Sequence, residues 1–326
     1  MPRSKTLWSS VTLAMLLASL ACLLGLGASS AAADDSASLK KVFANPPREY
    51  STAPLWVWND LLSDDQIRLT LRDLAAQNVK QAFVHPRPGL MTPYLSDEWF
   101  RLWGVALDEA ERLDMNLWIY DENSYPSGFA GGWVPRLMPE SRGRGLRFET
   151  TKQPANLGDD VLGVYAIAGE VSTNVTDAAR ASQLSAADQY LIVRLGRALD
   201  SPWTGGGPYV DLLHPGVTEK FIEVTMEPYR QRFGDQFGRR IPGWFTDEPH
   251  LAPFGAPHWS DHLPQAFRER WGYDLVEHLA SLHLPVGDWK RVRHNYFQLL
   301  LEQFIDRWAK PCYEYCEQHK IEFTGH

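Results

Sequence analysis

The chain contains little cysteine and carries a deficit of positive charge. Three cysteines in 326 residues exclude a disulfide-rich mini-protein. Lysine and arginine total 32 against 40 aspartates and glutamates, a formal net charge of −8, which argues against the basic face of a nucleic-acid binder. Hydrophobic residues make up 44% and charged residues 22%, so a mostly disordered chain is excluded as well.

Long apolar runs are lacking outside the N-terminus. Arg3 and Lys5 precede an apolar stretch at 13–27, and three alanines at 31–33 follow it, which is the layout of a secretory signal peptide. A transmembrane helix needs about 20 apolar residues, more than this stretch provides. We therefore expect a signal peptide at 1–33, a linker at 34–49, and a secreted or periplasmic chain that has no membrane contact after cleavage.

The remaining sequence alternates short apolar runs with helical patterns. Ser63 and Gln66 form a capping box before one helix, and another helix is expected to start near Ser96. A helix is also expected near 217–234, and Pro311 should kink or end the last long helix. Five apolar runs are followed by polar residues and are predicted to be strands, at 55–58, 81–84, 117–120, 241–246 and 321–324.

Apolar strands separated by helices indicate an α/β fold with a parallel sheet covered by helices. A doubly wound sheet usually has a glycine-rich turn after its first strand, and the turn at 59–62 contains no glycine. Polar clusters after several strands favour a (β/α)8 TIM barrel instead. The prediction is an incomplete TIM barrel of about five strands, with three strands in 50–142, a small β-rich insertion at 143–208, and two strands in 209–326. Because a complete barrel has eight strands, we expect the chain to be an N-terminal fragment.

The acidic pair Asp247 and Glu248 follows the fourth predicted strand. Neighbouring strand residues point in opposite directions, so only one of the two needs to face an active centre. Glycoside hydrolysis requires one carboxyl group to protonate the leaving oxygen and a second to attack or to activate water. We predict that Glu248 is the general acid and that Asp247 contacts substrate, with helix capping or structural support as the alternative for Asp247.

A second acidic cluster, Asp121-Glu122-Asn123, follows the third strand and precedes a loop rich in glycine. These three residues are predicted to bind substrate hydroxyls, and their carboxylates also suit a hard cation such as Ca2+. The alternative is ordinary turn chemistry in a surface loop. No metal ligand is assigned with certainty.

Two further groups complete the predicted substrate site. His85 and Arg87 follow the second strand and are expected to hydrogen-bond a polar ligand, or to form a structural ion pair. Among the strand tryptophans, Trp58 is assigned to substrate because aromatic faces stack on sugars, although most such residues fill the core. Asp211 and His214 are more consistent with a cap and turn than with a site.

The ordered motifs resemble those of a known family. They are the run at 54–59, the loop at 120–128 with Gly131 and Gly132, the segment at 210–213, and Phe245-Thr246-Asp247-Glu248-Pro249. Together they resemble the large bacterial α-L-rhamnosidases of glycoside hydrolase family 106 over about residues 50–326. The resemblance implies a secreted TIM-barrel glycosidase with added β domains, often calcium-dependent and inverting, in which Glu248 matches the acid. The general base is not identified.

Other functions remain open on the sequence alone. A metal-dependent hydrolase on the same barrel usually begins with histidines after the first strand, where this chain has Trp56-Val57-Trp58. A non-catalytic carbohydrate-binding remnant is the other alternative. A serine hydrolase is disfavoured because the Gly-x-Ser-x-Gly elbow is absent.

Overall fold

The computed structural model describes residues 36–252 and 255–326. The expected signal peptide at 1–33 lies outside the described residues. The chain divides into a unit that ends at Thr52 and a second unit, Ala53–His326. In the first, residues 36–44 of the expected linker are helical. No helix in the described parts of the chain combines the length and apolar character needed to cross a bilayer.

The described residues of the second unit contain nine strands in two sheets. In chain order they are β1 (Leu55–Trp58), β2 (Gln81–Pro86), β3 (Asn116–Tyr120), β4 (Arg144–Thr151), β5 (Val161–Ala168), β6 (Val171–Asn174), β7 (Gln189–Arg197), β8 (Gly243–Thr246) and β9 (Glu322–Gly325). The first sheet has the order β1-β2-β3-β8-β9, and all its neighbouring strands are parallel. Its five strands coincide with the five apolar runs. The sheet is open in the described residues, because β1 and β9 each pair on one side only.

Helices follow the strands. They are α1 (Asp64–Ala76), α2 (Asp97–Arg112), α3 (Trp133–Leu137), α4 (Thr176–Arg180), α5 (Val217–Val224), α6 (Met226–Phe233), α7 (Leu263–Trp271), α8 (Leu279–His283), α9 (Trp289–Phe304) and α10 (Lys310–His319). The Ser63 and Ser96 side chains accept hydrogen bonds from the backbone of Gln66 and Trp99, so the predicted starts of α1 and α2 are confirmed.

The helix expected over 217–234 is divided at Thr225 into α5 and α6. Pro228 has no N–H to donate to the carbonyl of Val224, so one helical hydrogen bond is missing at this point. Pro311 has a related effect. A π-helical turn, Ile305–Ala309, separates α9 from α10, and the hydroxyl of Thr218 donates to the Arg307 carbonyl, which Pro311 cannot reach with an N–H. The predicted interruption at Pro311 therefore takes the form of a π turn.

The second sheet is antiparallel, with the order β4-β7-β5-β6. It packs against α7, α8 and α9 through a separate cluster of buried side chains that includes Leu146, Tyr165, Phe267 and Tyr296. The β-rich segment expected between the third and fourth parallel strands thus shares its core with helices that follow β8 in the chain.

The two faces of the parallel sheet differ. Trp58, Ile119 and Trp244 belong to the main buried cluster that the sheet shares with its helices. Alternate residues line the other face, which we call the aromatic face: Phe83, His85, Trp118, Tyr120 and Phe245. Their rings contact one another at centroid distances between 3.7 and 5.5 Å. Parallel strands place their carboxyl ends on one edge, and the polar clusters therefore meet there.

Candidate active site

We define the rim as the carboxyl ends of the five parallel strands and the loops that follow them. At the rim, Asp247 is held from two neighbouring segments. The Tyr120 hydroxyl donates to Asp247 Oδ2 at 2.5 Å. Ser127 donates its N–H to the Asp247 carbonyl at 2.7 Å, and the Asp247 N–H donates to Ser127 Oγ at 2.8 Å. These contacts with Tyr120 and Ser127 fix the orientation of Asp247. They favour structural support, the alternative to a substrate contact for this residue.

Glu248 differs from its neighbour in exposure. Its side chain is 50% exposed, whereas that of Asp247 is 12% exposed. Its backbone has a positive φ of +45°, which is uncommon for a residue with a side chain and recurs at functional sites. The Glu248 N–H donates to the carbonyl of His326 at 3.1 Å. The backbone thus turns Glu248 away from the sheet and leaves its carboxyl group open to a ligand.

His326 lies beside both acids. Its Nδ1 is 3.2 Å from Glu248 Oε1 and 3.4 Å from Asp247 Oδ1. The three side chains offer ligand atoms within 4.8 Å of one another, which brings two carboxylates and one imidazole together. Calcium prefers six to eight oxygen ligands, so this donor set does not fit the Ca2+ that the family resemblance implies.

Asp121 is fully buried at the end of β3. Its Oδ1 accepts from the Ser127 hydroxyl at 2.5 Å and its Oδ2 from Trp244 Nε1 at 2.6 Å. Burial raises the pKa of Asp121 to about 7, and these hydrogen bonds oppose the rise. The carboxyl group is enclosed by the protein, which differs from the expectation that Asp121 contacts substrate. Its observed contacts connect β3, β8 and the intervening loop.

Glu122 organises the loop that follows β3. Its two carboxylate oxygens accept five backbone N–H groups, from Asn123, Gly128, Phe129, Ala130 and Gly131. Burial and the charge of Asp121 raise its pKa to about 8, against these donors. We expected Glu122 to contact substrate or a metal. In the structure, both of its carboxylate oxygens instead accept hydrogen bonds from the loop. Asn123 is half-buried, and its Oδ1 has no hydrogen-bond partner among the described residues.

His85 is 2% exposed and stacks on Tyr120 with a centroid distance of 3.7 Å. Neither ring nitrogen has a hydrogen-bond partner in the described part of the chain. Burial, helped by the charge of Arg87, lowers the pKa of His85 to about 3, so the ring is neutral near pH 7. The alternative of a structural ion pair does not apply, and a polar ligand that reaches the ring would find an unused donor and acceptor.

Arg87 and Trp58 have contrasting surroundings. Arg87 is half-buried, with its guanidinium 5.0 Å from the ring centroid of Tyr125 and 5.6 Å from that of Trp203. Trp58 is 1% exposed and packs edge-on against Trp56 and Trp99. The expected stacking of Trp58 on a sugar is at odds with this burial, because its ring is covered by core side chains.

Sequence reasoning missed several residues that shape the site. Tyr120 reads as an ordinary strand residue, and Trp203 lies in the Ser-Pro-Trp-Thr-Gly-Gly-Gly segment after β7, where the three glycines were the available signal. Asp211 accepts from the N–H of Leu213, which confirms the predicted turn. Asp211 also contacts His258 at 3.2 Å and accepts from Ser260, so this buried group fixes the segment after Glu248.

Comparison with known proteins supports the fold. No family model matches the chain, and no curated protein matches its sequence. Among solved structures it is similar to a rhamnosidase from Novosphingobium sp. PP1Y, with a TM-score of 0.58 and 13% sequence identity. The match covers 88% of this chain and 47% of the rhamnosidase, so the chain spans about half the length of that protein. At this identity the likeness establishes a rhamnosidase-like α/β fold with a parallel sheet.

Proposed function

We propose that this chain forms the acid-bearing part of a glycoside hydrolase that acts on L-rhamnosides or related sugars, with Glu248 as the general acid. The observation that carries the proposal is the contrast at the end of β8. Asp247 is fixed by Tyr120 and Ser127, while the adjacent Glu248 is open to solvent at the edge where parallel α/β folds carry their catalytic groups. The fold shared with a solved rhamnosidase supports the same reading.

In the proposed reaction, the Glu248 carboxyl group gives its proton to the glycosidic oxygen as the bond to the sugar carbon breaks. Asp247 keeps the strand end rigid and adds negative charge beside the positive charge that develops on the sugar. His85 is neutral and has no protein hydrogen-bond partner among the described residues, but both ring nitrogens are buried, so a sugar hydroxyl reaches them only if the aromatic face opens. Water takes the place of the leaving group on the sugar carbon and gives up a proton to a second carboxylate, which is not assigned.

The experiment compares Glu248→Gln with Glu322→Gln, a matched change at the opposite end of the same sheet, where Glu322 is exposed. Release of nitrophenol from 4-nitrophenyl α-L-rhamnoside is measured with the full chain. General acid catalysis contributes about 10²–10⁴-fold, so Glu248→Gln should lose that much and Glu322→Gln almost nothing. A dinitrophenyl leaving group needs little protonation, and on it the Glu248 variant should recover most of its rate.

Equal activity of the two variants would refute the role of Glu248. Binding of rhamnose without turnover by the unmodified chain would favour the alternative of a carbohydrate-binding protein. Tightly bound zinc in the purified protein, found by elemental analysis, would favour a metal-dependent hydrolase.

The fold and cellular location extend this proposal. We infer that the open five-stranded sheet corresponds to part of a (β/α)8 barrel, with 143–208 as an insertion between its third and fourth strands.

The signal-peptide pattern at 1–33 supports export to the periplasm or medium. N-terminal sequencing of exported protein tests this, since cleavage after Ala33 would leave Asp34 as the first residue.

A further inference from the structure

Arg87, Tyr125 and Trp203 form an arrangement that we call the Arg87 clamp. The guanidinium lies over both rings, and the rings themselves meet at right angles with centroids 5.3 Å apart. Arg87 follows β2, Tyr125 lies in the loop after β3, and Trp203 belongs to a short turn, Pro202–Thr204, that follows β7. Three distant segments therefore meet at one point of the rim.

The clamp is held by specific contacts. Trp203 Nε1 donates to the Tyr125 carbonyl at 2.5 Å, and the Ser201 hydroxyl oxygen accepts from the Trp203 N–H at 3.2 Å. Behind the tryptophan, Gly205 has a φ of +68°, and a Cβ added there would lie 2.1 Å from the carbonyl oxygen of Gly131. The loop from the antiparallel sheet thus rests directly on the glycine loop after β3, which positions Trp203 at the rim.

Arg87 differs from the arginines of the chain that are paired with carboxylates. Arg101, Arg142 and Arg194, among other arginines, form ion pairs with carboxylates. Within residues 36–252 and 255–326, the Arg87 guanidinium has aromatic contacts and no carboxylate or carbonyl partner. Contacts with aromatic rings do not use up the N–H donors on a charged acceptor, so these N–H groups stay available for a two-pronged bond to a carboxylate.

The loop after β3 connects the clamp with the strand end that carries the proposed acid. Tyr125 is two residues from Ser127, which exchanges two hydrogen bonds with the backbone of Asp247. A negatively charged sugar approaching Asp247 and Glu248 would be repelled by them, and a nearby unpaired guanidinium offsets that repulsion. The Trp203 side chain is 40% exposed, so its ring also offers an apolar surface to the C–H face of a pyranose.

We propose that the Arg87 clamp is a sugar subsite that selects a uronic acid, with Arg87 binding the carboxylate and Trp203 supporting the ring. This inference rests on the proposed function for its placement next to the bond that is cleaved. It names an acidic glycan as the substrate class, in which the sugar adjoining the scissile bond carries a carboxylate.

The test measures binding of monosaccharides to the full chain by calorimetry and by saturation-transfer NMR. D-glucuronate and D-galacturonate are compared with D-glucose and D-galactose, which differ from them by the carboxylate. We expect the uronates to bind at least fivefold more tightly than the neutral sugars, and the preference to fall as salt is raised. Glucose 6-sulfate serves as a second anion, and binding equal to that of glucuronate would overturn the assignment to a carboxylate.

Three variants locate the effect. Arg87→Gln should abolish the preference for uronates, and Trp203→Ala should weaken the binding of acidic and neutral sugars alike. Arg270→Gln is the control, since Arg270 stacks on Trp271 on the outer helix α7 and should leave binding unchanged. If Arg87→Gln unfolds, Arg87→Lys keeps the charge but cannot form the two-pronged bond to a carboxylate, and it should lose most of the preference.

The outcomes separate this inference from the proposed function. Glu248→Gln should keep the uronate preference, because Glu248 is not part of the clamp. If the unmodified chain prefers uronates through Arg87 but has no glycosidase activity, the clamp is supported and the proposed function is refuted. Equal binding of uronates and neutral hexoses, or a preference that survives in Arg87→Gln, would overturn the clamp whatever the activity.

Discussion

The Tyr120 hydroxyl donates to Asp247 Oδ2 at 2.5 Å and so connects the last residue of β3 with the residue that follows β8. The same ring stacks between His85 and Phe245. One side chain therefore combines the aromatic face with the acidic edge of the sheet. This contact explains why Asp247 is held while Glu248, the next residue, stays open to ligands.

Replacing Tyr120 by phenylalanine tests how strongly this contact holds the rim. The ring stacking remains, but a hydrogen bond to a charged acceptor is lost, which should lower the free energy of unfolding by about 1–3 kcal/mol. Urea denaturation followed by tryptophan fluorescence measures the change. Because Tyr120 and Asp247 act together, Tyr120→Phe and Asp247→Asn should be non-additive in a double-mutant cycle. Strict additivity would show that the bond contributes nothing.

Glu122→Gln should destabilise the chain by about 3 kcal/mol, because the amide replaces an acceptor oxygen with an NH2 group that faces backbone donors. The exposed Glu98→Gln is the control, and it should change stability by about 0.5 kcal/mol or less. Hydrogen exchange of the amides at 128–131 provides a local readout. Protection of these amides should fall in the Glu122 variant and stay the same in the control; unchanged protection would contradict the role of Glu122.

His85 predicts a specific dependence of stability on pH. Its folded pKa, about 3, lies below its ordinary value of 6.5, because of burial and the charge of Arg87. The unfolded chain therefore takes up a proton that the folded chain refuses, and stability falls as the pH drops from 6.5 towards 3. His85→Phe keeps an aromatic ring and removes this effect. Between pH 7 and pH 5 the variant should lose about 2 kcal/mol less than the unmodified chain; equal losses would contradict the prediction.

Two neighbouring glycines after β7 provide a matched test of loop packing. Both have positive φ, but a Cβ at Gly205 would meet the Gly131 carbonyl whereas one at Gly206 meets nothing within 4 Å. Gly206→Ala should cost about 1 kcal/mol for backbone strain alone. Gly205→Ala should cost clearly more and also weaken uronate binding, because it displaces Trp203. Thermal unfolding and calorimetry measure both effects, and identical losses in the two variants would mean that the close approach is unimportant.

The local pattern of the sequence was sufficient to locate the parallel strands. The apolar runs at 55–58 and 117–120 became strands of one parallel sheet, in which apolar runs are typical. The run at 117–120 is buried throughout, whereas Leu55 and Val57 are exposed. The capping serines predicted the starts of α1 and α2, since a helix start is a short-range hydrogen-bonding problem. The position of Glu248 at a strand end followed from the same periodicity.

These sequence patterns could not predict which site residues are exposed and which are buried. Adjacent acids such as Asp121 and Glu122 look equally suited to substrate in a sequence, yet both carboxyl groups are buried. Their partners are loop amides and a tryptophan from β8 more than 100 residues away in the chain. Trp58 was assigned to substrate from its residue type, and the packing of α2 against β1 covers its ring.

The sequence by itself determined the positions of the parallel strands, the helix starts and the presence of an acidic group after β8, because these depend on residues close together in the chain. Only the tertiary structure decided that Glu122 supports a loop, that Glu248 remains open, and that Trp203, in the segment after β7, reaches Arg87. These outcomes depend on which segments meet in space. A carboxylate that is buried and hydrogen-bonded within the protein has a structural role, whereas one that stays exposed and unbonded can bind a ligand.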